Sequence, residues 1–92
     1  MIISAEVDAF IYDAQSLKEK RAVLKRIQTR LHNEFNIAVS ELEFQDLWQR
    51  TRLGLVTIAS SKKVAEQTMQ QALSFIDSFP EIERTETNLE WL

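Results

Sequence analysis

The order of the hydrophobic periodicities along the chain constrains its fold more than any other feature of the sequence. Apolar and polar residues alternate from Ile3 to Ile11, which is the period of a strand with one buried face. A helical pattern follows, then two short segments rich in branched residues, then a second helical pattern and a weakly alternating tail. The sequence therefore predicts the order strand, helix, strand, strand, helix, strand, with strands near residues 3–11, 37–44, 53–59 and 82–92.

Both predicted helices have recognisable ends. Ser16 and Glu19 form a capping box, so the first helix should cover about residues 17–34. The serine pair at 60–61 offers N-caps to the second helix. Pro80 ends that helix because proline cannot supply the next backbone donor.

This order of elements predicts an α+β fold, a ferredoxin-like β-α-β-β-α-β sandwich. Its four-stranded antiparallel sheet should have the order 4-1-3-2, with both helices on one face. A chain of 92 residues has room for a single domain, which should span residues 1–92. Right-handed crossovers would bring the start of the first helix, the hairpin at 45–50 and the turn at 79–82 to the same end of the sheet.

The composition argues against several classes of function. Without cysteine there is no disulfide, thiol nucleophile or zinc ribbon, and no segment approaches the ~20 apolar residues of a membrane span. Gly54 is the only glycine, which excludes the glycine-rich phosphate loops, and His32, the only histidine, falls on the solvent side of its helix. We expect a cytoplasmic protein with no membrane partner, no catalytic residue, no metal and no cofactor.

Charge is distributed unevenly along the chain. Residues 16–35 hold six basic and two acidic residues, a net charge of +4, and the remaining five basic and twelve acidic residues give −7. Lys18, Lys20 and Arg21 lie in the first turns of a helix, where the macrodipole disfavours cations. Together with the free amides of that helix terminus they would form an anion or phosphate site. A solvated helix face balanced by acidic strands is the alternative, and both interpretations remain open.

The predicted hairpin adds a second group of candidate residues. Asp46, Trp48 and Arg50 lie in a connection where a large aromatic side chain has no obvious core to enter. A tryptophan beside an arginine is typical of interaction hot spots. Trp48 either caps the core at this end of the sheet or contacts a partner.

The sheet face that the helices leave uncovered should also carry apolar side chains. Phe10 and Tyr12 end the polar face of the first strand, and Val56 and Ile58 belong to the outer face of the third. Such a patch on a small protein usually marks a partner surface. It predicts self-association into a homo-oligomer, and the alternative is an imperfect burial pattern in a monomer.

Four short motifs resemble the YlxP-like family of small bacterial proteins. They are Leu-Lys-Glu-Lys-Arg at 17–21, Phe-Asn-Ile at 35–37, Gln-Asp-Leu-Trp-Gln-Arg at 45–50 and Leu-Gly at 53–54. The resemblance covers nearly the whole chain and implies a ferredoxin-like fold and a cytoplasmic protein. It implies no catalytic residue, and members of the family are often encoded with translation and ribosome-maturation factors. Where they commonly have an Asn-Asp pair, this chain has serine or lysine at 60–62.

The sequence favours a non-enzymatic accessory protein that binds structured RNA or a ribosomal surface through its basic first helix and the hairpin. Its net acidity argues against indiscriminate nucleic-acid binding, and its sheet shows few of the exposed aromatics with which RNA-recognition sheets stack bases. Two alternatives remain. One is a protein-binding or self-assembling module that uses the open sheet face, and the other is a small-anion-binding regulatory domain at the helix N-terminus.

Overall fold

The computed structural model describes all residues from Met1 to Leu92. Six elements follow one another in the predicted order: β1 (Ile2–Phe10), α1 (Leu17–Glu34), β2 (Ala38–Glu43), β3 (Arg50–Ile58), α2 (Lys62–Asp77) and β4 (Glu83–Trp91). The strands form one antiparallel sheet in the order β2-β3-β1-β4. The predicted α+β sandwich, with its strand order 4-1-3-2, is confirmed.

The core lies between one face of the sheet and the two helices. Alternate residues of β1 and β3 point into the core. Ala5 lies opposite Leu55 and Val7 lies opposite Leu53, and all four are buried. Ile27 of α1 and Met69 of α2 are fully buried against this face. Because both helices cover the same side, the other side of the sheet, the open face, meets solvent.

Local hydrogen bonds fix the ends of the helices. The Ser16 hydroxyl accepts from the Glu19 amide at 3.1 Å, and the Glu19 carboxylate accepts from the Gln15 amide at 2.6 Å. The Ser61 hydroxyl accepts from the Val64 amide at 3.1 Å and so caps α2. These contacts satisfy amides that have no partner inside the helix.

Neither helix is long and apolar enough to cross a membrane.

The third strand begins earlier than the sequence predicts. It starts at Arg50 instead of Leu53, because Arg50 pairs with Phe10 and Arg52 pairs with Asp8 across the sheet. The polar composition of this stretch hides its strand character, since only Thr51 points inward there and is buried. Arg50 is therefore a strand residue with a fixed direction, and not part of a loop.

Three connections converge at one end of the sheet, which we call the hairpin end (residues 10–14, 44–50 and 79–83). The amide of Ile11 donates to the Gln49 carbonyl at 2.9 Å. The Gln49 side chain in turn donates to the carbonyls of Tyr12 and Ala14, at 2.8 and 3.1 Å. Glu83, at the start of β4, pairs with Phe10. The loop that enters α1 is thereby tied to the hairpin, as the predicted topology requires.

Candidate nucleic-acid interface at the hairpin end

Aromatic rings and guanidinium groups form a layered stack on the open face at the hairpin end. The guanidinium carbon of Arg50 lies 4.2 Å from the ring centre of Phe44 and 5.7 Å from that of Phe10. Phe10 stacks on Tyr12, with 5.2 Å between ring centres and 13° between planes. Arg52 covers Phe44 as well, at 5.3 Å. Each guanidinium cation is attracted electrostatically to the face of the aromatic ring beneath it, so the stack holds these side chains in place.

Phe44 has an unusual backbone conformation. Its φ angle of 68° lies in the left-handed region, which a bulky side chain rarely adopts and which costs roughly 1–3 kcal/mol. Its carbonyl accepts hydrogen bonds from the Leu47 amide at 3.0 Å and from the Lys20 ammonium at 2.5 Å. Strain of this kind persists where the surroundings hold it, and it is concentrated at functional sites.

Lys20 is one of the residues that hold Phe44, and the prediction that it belongs to an exposed anion site is wrong. Its side chain is fully buried, 0% exposed, and its ammonium lies 2.9 Å from a Glu41 carboxylate oxygen. The hydroxyl of Thr51 donates to the same carboxylate at 2.7 Å. The reason is helix geometry, because Lys20 precedes the buried Leu24 by one turn and shares its face.

The other two cations of the predicted site are exposed. Lys18 and Arg21 lie in the first turns of α1 and form no ion pair within the protein. The amides at this terminus are less available than the sequence suggests, because Glu19 places its own carboxylate there. A small anion would have to compete with that carboxylate, which weakens the anion-binding alternative.

The hairpin residues of the prediction are all exposed. Trp48 is 52% exposed and does not belong to the core cluster, so the core-capping interpretation finds no support. Asp46 lies in the same loop with its side chain in solvent, and Arg50 forms no ion pair. Asp46, Trp48 and Arg50 therefore lie exposed at the hairpin end, Lys18 and Arg21 lie exposed at the start of α1 on the helix side of the sheet, and Lys20 is buried beneath Phe44.

The four residues predicted to mediate self-association do not form one patch. Phe10 pairs with Arg50 at the hairpin end, whereas Val56 pairs with Ser4 near the other end of the sheet. The Tyr12 ring stacks on Phe10, and Ile58 lies two residues beyond Val56 on the same face of β3. Opposite ends of these strands are about 25 Å apart. Apolar residues cluster at both ends of the open face with polar ones between them, and self-association stays a prediction that light scattering tests.

Two aspartates have pKa values below that of an ordinary aspartate. Arg52 donates from Nε to an Asp8 oxygen at 2.6 Å, and Arg84 donates to Asp77 at 2.7 Å. These hydrogen bonds favour the ionised carboxylates and so lower both pKa values. The Asp8 pair also anchors Arg52 over Phe44.

Acid should therefore destabilise the protein. A carboxyl whose pKa is lower in the folded state contributes stability above its unfolded pKa of about 4, and this is lost as the pH falls through the folded value. We expect the urea midpoint to fall between about pH 5 and pH 3, and Asp8→Asn to flatten part of that decline. Asp46→Asn is the control, since this exposed carboxylate has no ion pair. If the urea midpoints of the two variants changed equally with pH, the Asp8–Arg52 pair would not be a source of the decline in acid.

The sequence alone does not show that Phe44, Arg52 and the Phe10–Tyr12 pair lie at the same end of the sheet as Trp48 and Arg50. The missing information is the register of the first and third strands, which sets Phe10 opposite Arg50. An arginine followed two residues later by a second one, Arg52, is the available signal, because this spacing puts both on one strand face.

Comparison with solved structures supports the fold alone. A de novo designed protein with ferredoxin fold, determined by solution NMR, is similar with a TM-score of 0.59 at 13% identity, covering 100% of this chain and 87% of that one. A C-terminal segment of the alpha subunit of aIF2 from Pyrococcus abyssi is similar with a TM-score of 0.53 at 16% identity, covering 97% and 48%. The likeness to the designed protein with ferredoxin fold confirms the predicted ferredoxin-like class.

Sequence comparison shows the family. The chain is 58% identical over 91 residues to the "Uncharacterized protein YlxP" of Bacillus subtilis (strain 168), covering 99% of each. The family model described as "Protein of unknown function (DUF503)" matches residues 2–89. With nearly its whole length matched in both comparisons, the chain belongs to this family of proteins of unknown function.

Proposed function

We propose that this protein is a non-enzymatic accessory protein that binds structured RNA, or an RNA surface of the ribosome, at the hairpin end. The observation that carries the proposal is that this end of the sheet carries two exposed aromatic rings, Tyr12 and Trp48, and the guanidinium of Arg50, which forms no ion pair. Unpaired RNA bases are recognised by stacking on such rings and on guanidinium planes. The bases of loops and bulges are thus the expected contacts.

The stack provides a rigid platform for bases. Tyr12 is 54% exposed, and its ring is held parallel to Phe10, which leaves the outer ring surface for a base. Arg50 is positioned by Phe44 and Phe10, yet its N–H groups have no acceptor within the protein. A side chain that is already held in place loses little conformational entropy on binding, so less of the favourable contact free energy is offset.

The charge distribution limits the number of phosphates that RNA can contact on this protein. The protein carries a net charge of −3, and its fourteen acidic residues, half of them in the strands, repel a polyanion. Lys18 and Arg21 are exposed in the first turns of α1, which begins at this end of the sheet but on its helix side. A loop that stacks on the open-face rings would pass over this end of the sheet for its phosphates to contact both cations. A small site with few phosphate contacts favours recognition of unpaired bases over coating of a duplex.

Reversal of both exposed cations should reduce the salt dependence of RNA binding. For Lys18→Glu/Arg21→Glu we expect weaker binding to a fluorescein-labelled RNA stem-loop. The slope of log affinity against log salt should be smaller by roughly 1.5, because two phosphate contacts are lost. Fluorescence anisotropy at several salt concentrations measures both the affinity and its salt dependence. Folding should be unaffected or slightly more stable, since acidic side chains suit the start of a helix.

The matched control is Lys62→Glu/Lys63→Glu, which changes the charge equally at the start of α2. These residues follow the end of β3 that is remote from the hairpin. Equal loss of affinity and slope in both double variants would show that net charge alone governs binding, and would overturn the proposed site.

A further inference from the structure

A second surface lies on the open face and extends from Gly54, in the middle of β3, to the end remote from the hairpin. Gly54 lacks a side chain, and the Leu42 side chain of β2 leans over it, with its Cδ1 atom 2.7 Å from where a Cβ of residue 54 would lie. The Leu42 side chain fills the space that a side chain at 54 would need. Both residues line a depression of about 330 Å³, which adjoins a second one of about 280 Å³. We call the two together the open-face groove; its apolar lining is Ile2, Ala38, Leu42, Gly54, Val56 and Ile58.

The apolar residues of the groove have no cover within the protein. Ile58 is 59% exposed, Leu42 is also exposed, and Val56 is half-buried. Both helices pack on the other side of the sheet, so no element of the chain reaches this face. A contiguous apolar strip of this kind on a small domain usually binds a partner.

A row of carboxylates runs beside the groove. Glu6 of β1 pairs with Asn88 of β4 and therefore lies between Glu86 and Glu90 of that strand, on the open face. None of the three carboxylates forms an ion pair within the protein. Like charges at neighbouring cross-strand positions are destabilising. Arg52, which is hydrogen-bonded to Asp8 and interacts electrostatically with Glu6, is one cation against three carboxylates, so the row favours further cations from a partner.

The dimensions of the surface fit a helix. From Gly54 to Ile58 the groove is about 13 Å long, which corresponds to about nine helical residues. The acidic strand β4 lies two strand spacings, about 10 Å, from the groove floor on β3, close to the diameter of an α-helix. A helix seated in the groove would therefore present one flank to the carboxylates.

We infer that the open-face groove binds a basic amphipathic helix of another protein. Apolar side chains at positions i, i+3 or i+4, and i+7 of that helix contact the strip formed by Val56, Ile58 and Leu42. Lysine or arginine on its flank contacts the carboxylate row of Glu6, Glu86 and Glu90. This surface is separate from the hairpin end, so the inference does not depend on RNA binding.

A second copy of this chain is a poorer occupant. Two-fold packing of the open faces sets the acidic row either against its own copy or against apolar residues. The first arrangement brings like charges together, and the second buries carboxylates without partners, which is costly. A cationic partner avoids both penalties.

The test uses a fluorescein-labelled synthetic peptide of about 18 residues, with leucine on one helical face and lysine on the flanks. We expect saturable binding by fluorescence anisotropy. Ile58→Glu should weaken binding at least tenfold, and Glu86→Lys/Glu90→Lys should weaken it several-fold and lower its salt dependence. Val64→Glu, which alters an exposed apolar residue of α2, and Glu34→Lys/Glu66→Lys, which matches the charge change, should bind as the unaltered protein does.

Three results would overturn the inference. The first is no saturable binding of the peptide, and the second is equal binding of a peptide with glutamine in place of lysine. The third is a homodimer in sedimentation that Ile58→Glu dissociates, because a second copy would then occupy the groove. If Ile58→Glu fails to fold by circular dichroism, the exposed pair Glu86 and Glu90 decides the question.

Discussion

Replacing Lys20 by glutamate is expected to lower the free energy of unfolding by roughly 3–5 kcal/mol or more. The substitution removes the partner of Glu41 and places a second carboxylate beside it, at a position that is fully buried. It also leaves the strained carbonyl of Phe44 without its ammonium donor. A single-domain protein has only about 5–15 kcal/mol of stability, so this variant should be close to unfolding.

Urea denaturation measures the effect, and the neighbours of Lys20 provide the controls. Lys18→Glu and Arg21→Glu alter exposed side chains of the same helix, so each should change stability by no more than about 0.5 kcal/mol. The double variant Lys20→Met/Glu41→Leu should be more stable than Lys20→Met alone, because removal of both charges leaves no unpaired charge. Equal stabilities of Lys20→Glu and Lys18→Glu would contradict the buried ion pair.

Removal of the two exposed rings is expected to have the largest effect on RNA binding. Stacking of a base on an aromatic side chain contributes about 1–3 kcal/mol, so Tyr12→Ala/Trp48→Ala should weaken binding by at least about 30-fold. The variant should keep its fold, because both rings are half exposed and neither belongs to the core. Fluorescence anisotropy with the labelled RNA stem-loop measures the affinity.

Two further variants separate stacking from other causes. Tyr12→Phe/Trp48→Phe keeps flat rings and should retain most of the affinity. Trp91→Ala removes a ring of similar exposure at the far end of β4 and should have no effect. If the phenylalanine variant binds as weakly as the alanine variant, base stacking is not the source of the affinity.

The fold could be predicted from the sequence because its determinants are local. The alternation from Ile3 to Ile11, the serine caps and Pro80 each specify an element without knowledge of the others, and the order of elements leaves few topologies. The start of β3 was harder, because Arg50 and Arg52 are held in the strand by Phe10 and Asp8, far away in sequence. The composition of the residues around Arg50 does not indicate that pairing.

The candidate site could be predicted only in part, because side-chain direction decides it. Lys20 has the residue type of an anion ligand, but its helical phase with Leu24 and Ile27 turns it inward. Phe10 and Val56 share a sheet face but not an end, which requires the register between β1 and β3. Phe44 enters the site through a left-handed backbone conformation that no sequence pattern indicated.

The fluorescence of Trp48 tests the central claim most directly. The chain has two tryptophans, and Trp91→Phe leaves Trp48 as the only one, within the hairpin at the proposed RNA contact. Base stacking quenches indole fluorescence, so titration with an RNA stem-loop that carries unpaired loop bases should give a saturable decrease in emission. A blunt RNA duplex of equal length should give little change. Saturable RNA binding without any change in Trp48 emission would place the RNA elsewhere and contradict the account.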